Sequence, residues 1–319
     1  MNSNLFVVIA ASAIFYGTPL YFAALGEVLT ERSGVLNLGV EGMMLMGAVT
    51  AASTSIHAPG PTWFALLLAV LAGMVAAGAL ALLHAFLVVT LRVNQVVSGL
   101  AITILAGGAG LSSYLASVWG VATGPVPHQL SSLDVLGLGD LPVLGPIVFD
   151  QNALTYLSWA ALIGTSWYLF RTRRGLELRA VGESPATADA MGIDVTRSRY
   201  LHTVVGGMLA GVGGAYFTLA IVPTWTDGVT AGRGWIAIAL VIFGFWRPDL
   251  TLLGAYLFGA FSSLAPTLQT RGVDVPVQLL DSLPYLTTVV VLVAVSSGWA
   301  SRRVGAPAAL GTAYEREDR

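Results

Sequence analysis

Cysteine and lysine are both missing from the 319 residues of this chain. Without a thiol there is no disulfide framework, no thiolate metal site and no cysteine nucleophile. Without an ε-amino group there is no P-loop lysine, no Schiff base and no lysine general base, so nucleotide hydrolysis linked to this chain must come from another one. Histidine is sparse: His57, His84, His128 and His202 lie in different regions without ligand spacing, and neither HExxH nor GxSxG occurs. A membrane-embedded hydrolase would have no machinery to draw on.

Charge is scarce as well. Only 10% of residues are charged, against roughly 25% in soluble domains, while 55% are hydrophobic and mean hydropathy is +0.78. These values identify an integral membrane protein. The net charge of -2 says little about partners, because charge here is arranged by membrane side.

Apolar stretches able to cross a hydrocarbon core of roughly 30 Å recur along the whole chain. They fall at about Leu5–Val28, Val35–Ser55, Trp63–Leu91, Val93–Val118, Ala153–Phe170, Tyr200–Val222, Gly234–Trp246, Leu250–Leu268 and Pro284–Ala300. The expected fold is therefore all-α and polytopic, with about nine transmembrane helices (range 8–10). Residues 1–301 are expected to form one transmembrane domain and 302–319 a cytoplasmic tail. The Gly234 stretch is short for a span. Met1–Asn4 has no basic residue, so Leu5 onward reads as a retained anchor.

All 15 cations are arginine, and six of them lie between Arg171 and Arg199. With that loop in the cytoplasm and the spans alternating, Arg32, Arg92, Arg247, Arg302, Arg303, Arg316 and Arg319 join it; only Arg233 and Arg271 fall outside. This is the positive-inside pattern, with the N-terminus outside and the C-terminus cytoplasmic. The loop from Trp119 to Asn152 is then extracytoplasmic, and its Gly and Pro content implies irregular backbone, for docking or as a passive spacer.

Ten charged residues occur between Arg171 and Arg199, and a short helix is legible among them. Ser184 is a good N-cap, Pro185 fits the first helical position, and Gly192 supplies a left-handed residue after the end. The helix runs Pro185–Met191, with Ala186, Ala190 and Met191 as its apolar face and Thr187 and Asp189 as its polar one. Two turns are marginal alone in water, so the helix needs a surface to pack on. Two readings stand open: a helix seated on a cytosolic motor subunit, or a solvated loop carrying positive-inside charge.

Polar residues inside apolar spans form a second group. Glu41 sits at depth in Asn37-Leu38-Gly39-Val40-Glu41-Gly42, where an ionisable group is costly unless it meets a cavity or a partner. It lines a substrate path, or it accepts from backbone amides where a glycine-interrupted helix breaks. His84 reads as a packed residue. Asn94, Gln95 and Ser98 enter the fourth span, for interhelical hydrogen bonds or substrate contact. Glu27, Thr30 and Gly34 recur as Asp227, Thr230 and Gly234, each set introducing a glycine-rich segment, which points to an inverted repeat with broken helices.

Four segments carry a family resemblance. Glu31-Arg32-Ser33-Gly34-Val35-Leu36-Asn37-Leu38-Gly39-Val40-Glu41-Gly42-Met43-Met44-Leu45-Met46-Gly47-Ala48, Arg179 to Ile193 with its core Gly182-Glu183-Ser184-Pro185-Ala186, Thr230 to Gly244, and Pro307-Ala308-Ala309-Leu310-Gly311-Thr312-Ala313-Tyr314 resemble the nucleoside and simple-sugar branch of ABC importer permeases, relatives of branched-chain amino acid permeases. That family often has an Asn in the fourth span, where this chain reads Ala101-Ile102-Thr103-Ile104.

The resemblance implies a transport pore subunit and not an enzyme, in a multi-pass bacterial plasma membrane setting. It implies no cofactor, metal or catalytic residue in this chain, ATP being used by a partner. The implied partners are a homologous second permease subunit, a cytosolic ATPase subunit, an extracytoplasmic lipoprotein of the basic-membrane-protein type that binds substrate, and membrane lipid; nucleic acid is not among them. Nucleosides, purine ones first, are the implied substrate. The path would be lined by Asn37, Glu41, Asn94, Gln95, Ser98 and Thr103. The ATPase-coupling helix would comprise Glu183, Ser184, Pro185, Ala186, Ala188, Met191 and Gly192. The alternatives are a simple-sugar ABC permease and an ion-coupled secondary nucleoside transporter using Glu41.

Overall fold

A computed structural model of the chain describes residues 5–108, 110–121, 124–269 and 305–316, together with 276, 279–280, 282–283, 286–287, 289–290 and 293. The described backbone is overwhelmingly helical, as the lack of water in a bilayer core requires: amide groups there must be satisfied within their own segment. Helices α1 (Leu5–Arg32), α2 (Val40–His57), α3 (Thr62–Ala85, prolonged by a π turn to Thr90), α4 (Gln95–Ala106) and α5 (Leu111–Val118) form the first half. The second half comprises α6 (Ala153–Arg171), α7 (Arg173–Glu183), α8 (Pro185–Ala190), α9 (Val195–Tyr216, prolonged by a π turn to Ile221), α10 (Arg233–Phe243) and α11 (Pro248–Gln269).

Helix α9 is the hub, packed against α1, α2 and α3, while α1 also carries α10 and α11. Small residues make this possible. Gly26 faces Gly206, and Gly47 and Gly73 both face Gly211. A methyl group built on Gly214 would lie 1.9 Å from the Met44 carbonyl oxygen. Apolar solvent supplies no hydrophobic drive between helices, so backbones brought this close gain dispersion contacts instead.

Eight of the nine expected spans coincide with described helices. The ninth, Pro284–Ala300, lies largely outside the described residues. By length and hydropathy five stretches among the described residues suffice to cross a membrane: 5–32, 62–90, 95–118, 195–221 and 248–269. Helix α2 has 18 residues and lies almost wholly buried among its neighbours, so its composition need not match lipid. Helix α10 has only 11 residues, a length of about 16 Å, half of what spanning requires.

Three differences from the sequence reading matter. The second span starts at Val40, not Val35, because residues 35–39 are unwound. The fourth span is interrupted at Gly107–Gly110, between α4 and α5. A helix not expected from sequence, α7, precedes α8. The loop 119–152 holds a two-stranded antiparallel pair, β1 (Ser132–Asp134) with β2 (Asp150–Asn152), and folds back on the α9–α10 connection, where Val126 N donates to Pro223 O at 2.8 Å. Asn152 then caps α6, accepting from Thr155 N at 3.1 Å.

Candidate functional site

The unwound residues 35–39 lie between α1 and α2 inside the bundle, and each exposed amide there needs a partner. Side chains from three helices supply them. Leu36 N donates to Gln95 Oε1 at 2.6 Å. The Leu36 carbonyl accepts from His84 Nε2 at 3.1 Å, which leaves His84 Nδ1 to accept from Ser98 Oγ at 2.9 Å in a neutral ring. Leu38 O accepts from Thr103 Oγ1 at 2.9 Å. Asn37, fully buried, donates through Nδ2 to Glu27 Oε1 at 2.7 Å and accepts from Gly39 N at 3.0 Å. Gly99 is needed because a methyl there would come within 2.6 Å of Leu38 N.

Of the six residues expected on the path, four therefore brace this segment: Asn37, Gln95, Ser98 and Thr103. Asn94 is exposed and caps α4, accepting from Val97 N at 3.1 Å. Glu41 and Thr103 line a groove.

Glu41 joins two distant parts of the chain. Its Oε1 accepts from Thr230 Oγ1 at 2.5 Å and Gly232 N at 2.9 Å, and its Oε2 accepts from Gly234 N at 2.6 Å. These donors form the N-terminus of α10, where unpaired amides and the helix dipole favour a carboxylate. Ala231 and Gly232 both adopt positive φ (47° and 81°), and this left-handed pair turns the amides toward Glu41. Of the two roles open to Glu41, the contact with backbone amides at a helix break is the one its geometry makes. The far end of α10 is held too: Arg32 donates to Trp246 O at 3.2 and 3.1 Å, and Trp246 Nε1 donates to Glu31 Oε2. The short helix α10 is thus clamped at both ends by residues 31–41.

Around Glu41 two glycine-rich breaks face one another. Gly107, Gly108 and Gly110 from the interrupted fourth span and Gly228, Ala231 and Gly232 before α10 border a groove of about 560 Å³, completed by Leu45, Thr103 and Ile104. Ser113 Oγ donates to Asp227 Oδ1 at 2.7 Å, tying the two breaks together. The volume is that of a small-molecule site. Glu41 is the one charged residue of this lining, and both its oxygens are occupied by donors. The sequence reading missed the Gly107–Gly110 break; its signal was three glycines within four residues of a span. The three positions matched across an offset of 200 differ in conformation: Glu27 and Thr30 are helical, Asp227 and Thr230 lie in the loop before α10.

At the other end, α8 forms where its caps place it, one residue shorter than expected. Ser184 Oγ accepts from Thr187 N at 3.4 Å, Pro185 opens the helix and Gly192 follows it at φ 86°. The expected apolar face is the one turned outward. Ala188 is buried against Val181 and Val195, whereas Ala186, Ala190 and Met191 point outward, Met191 being 79% exposed. The reason is α7: its Leu178, Val181 and Gly182 are buried, and α8 leans on that helix with the side bearing Ala188. An outward apolar patch remains, rimmed by Glu183 and Thr187.

The model of the family described as branched-chain amino acid transport system / permease component matches residues 9–296. The chain belongs to that family. Among its relatives, the guanosine ABC transporter permease protein NupQ of Bacillus subtilis is 38% identical over 96% of this chain and 96% of its own. The nucleoside ABC transporter permease protein NupC of Lactococcus lactis is 35% identical over 91% and 92%. TsgC13 of Haloferax volcanii, provisionally described as a glucose ABC transporter permease protein, is 40% identical over 94% and 95%. No solved structure matches the chain. This permease is a multi-pass membrane protein and a transport component, not an enzyme.

Proposed function

We propose that this permease forms one side of the translocation path of an ABC importer for nucleosides, with the groove beside Glu41 as the place where substrate passes. One observation carries the reading: a groove of about 560 Å³ between two glycine-rich helix breaks whose one charged residue, Glu41, is fully engaged by protein donors. A zwitterionic amino acid would need charged partners there, and leaving its charges unpaired in a low-dielectric site is costly. A neutral polar solute needs only hydroxyl and backbone groups, which Thr103 and the glycines offer. Nucleosides and simple sugars both fit that description. The relatives named for guanosine and nucleosides favour the first; TsgC13 supports the second.

Orientation, partners and roles follow. The end of the bundle that holds Arg32, Arg92, α7 and α8 faces the cytoplasm, and the loop 119–152 faces outward, toward a substrate-binding lipoprotein. Arg92 pairs with Glu315 and Arg32 with the α10–α11 turn, so the described arginines other than Arg233 gather at one end, in support of the positive-inside assignment. A cytosolic ATPase seats on α8 through Ala186, Ala190 and Met191, with Glu183, Ser184, Pro185, Ala188 and Gly192 fixing the helix. A homologous second permease closes the groove. The path residues are Glu41 and Thr103; Asn37, Gln95 and Ser98 brace the unwound segment and Asn94 caps α4. ATP is consumed by the partner.

The rival ion-coupled transporter would use Glu41 as its proton carrier. Glu41 is committed to the N-terminus of α10 through Thr230 Oγ1, Gly232 N and Gly234 N, which supports a structural contact over this role. In proteoliposomes holding the full complex, guanosine uptake is expected to require internal ATP and to survive an uncoupler. Uptake that persists without the ATPase and collapses with the uncoupler would overturn the assignment. Competition by glucose but not guanosine would select the sugar reading.

A further inference from the structure

We propose that residues 305–316 form a stiff strap that transmits movement of α8 to the unwound segment 35–39, with Thr312 and Tyr314 as positioning residues. The inference rests on the proposed function, in which α8 meets the ATPase and residues 35–41 border the path.

The strap touches both ends of that route. On the α8 side, Tyr314 donates to Asp189 Oδ2 at 2.9 Å, Arg316 Nε lies 3.5 Å from the same oxygen, and the Tyr314 ring packs on the cluster of Val181, Ala188 and Val195. On the membrane side, Gly311 N donates to Gly34 O at 3.2 Å, just before the unwound segment. Thr312 O accepts from Arg199 Nη1 at 3.1 Å and from Gln95 Nε2 at 3.4 Å. Arg199, fully buried, reaches on through Nε to Ser33 O at 3.2 Å, and Gln95 holds Leu36 N at 2.6 Å. One carbonyl, that of Thr312, is thus linked through two side chains to Ser33, just before the helix break, and to Leu36, within it.

Two features make the strap suited to pass on displacement rather than absorb it. Its backbone is folded on itself, with Leu310 N donating to Pro307 O at 2.9 Å, Thr312 N to Ala309 O at 3.1 Å and Thr312 Oγ1 to the same oxygen at 2.7 Å. It is also fixed midway, where Ala309 N donates to Gly182 O at 2.9 Å and the Ala309 side chain is buried. Helix α8 itself packs against α7 and α9. Coupling between separated sites needs an element whose position both of them bias, and the strap meets that condition by direct contact at each end.

The test uses the complete complex of both permeases, ATPase and binding protein in proteoliposomes, with uptake and ATP hydrolysis measured together. The double variant Tyr314→Phe with Arg316→Ala removes the strap's polar links to Asp189 of α8 and leaves Gly311 and Thr312 in place. We expect assembly and ATP turnover close to wild type and a fall of about fivefold or more in nucleoside taken up per ATP, the size of an ordinary coupling between sites. Truncation after Gly305 should lower the same ratio further. An unchanged ratio in the double variant overturns the proposal, whether or not the truncated chain assembles. Wild-type complex that takes up nucleoside without ATP overturns the proposed function first, and the strap falls with it.

Discussion

Glu41→Gln is expected to destabilise the permease and to abolish transport together. The carboxylate accepts from Thr230 Oγ1, Gly232 N and Gly234 N. An amide keeps one acceptor oxygen and turns an NH2 group toward at least one of those donors. Losing a hydrogen bond to a charged group and stranding a buried amide costs about 2–4 kcal/mol. The N-terminus of α10 also loses the negative charge that complements its dipole. Because the left-handed turn at Ala231 and Gly232 presents Gly232 N to Glu41, the groove wall should relax when that contact weakens. The thermal midpoint of the purified protein and the yield of assembled complex should both drop, and uptake should fall at least about tenfold, the factor that 1.4 kcal/mol represents. A variant with a wild-type midpoint and no uptake would mean that Glu41 acts on substrate and not on α10.

Ala186→Glu should have the opposite signature: a folded permease that no longer drives transport. Ala186 is exposed on the outward face of α8, so the free chain has room for a longer side chain, and such surface changes stay within about 0.5 kcal/mol of stability. In the assembled importer, the same carboxylate would be buried against the ATPase beside Ala190 and Met191 with nothing to pair it, a penalty of several kcal/mol. Co-purification of the ATPase subunit and nucleoside uptake should each fall about tenfold or more. Wild-type ATPase recovery together with normal uptake would remove α8 from the interface.

Local signals were legible in the sequence and distant ones were not. Ser184, Pro185 and Gly192 act within a few residues of one another, and they placed α8 to within one position. Its orientation depended on α7, whose arginine-rich sequence reads as a charged loop until Leu178, Val181 and Gly182 are seen facing inward. Hydropathy marked the fourth span correctly but is blind to a break, since Gly107, Gly108 and Gly110 are as compatible with a helix in that average as with its interruption. Glu41 stood out as an ionisable residue at depth. Its donors, however, lie about 190 positions further along, and no pattern near residue 41 identifies them. The tail motif Pro307–Tyr314 showed only as a family likeness, while its contacts with Gly34, Gln95, Asp189 and Arg199 arise from tertiary packing.

The absence of cysteine allows a direct look at the groove. In the assembled complex, Ile104→Cys places the only thiol of this chain in the groove lining that includes Ala231 and Glu41, at a position that is 75% exposed in the isolated permease. The rate of its modification by a small water-soluble thiol reagent should fall about tenfold when guanosine is present at about ten times its dissociation constant, because occupied sites are shielded in proportion to ligand bound. The same concentration of leucine should leave the rate unchanged. Equal rates with guanosine and with leucine would contradict the claim that a neutral nucleoside passes beside Glu41.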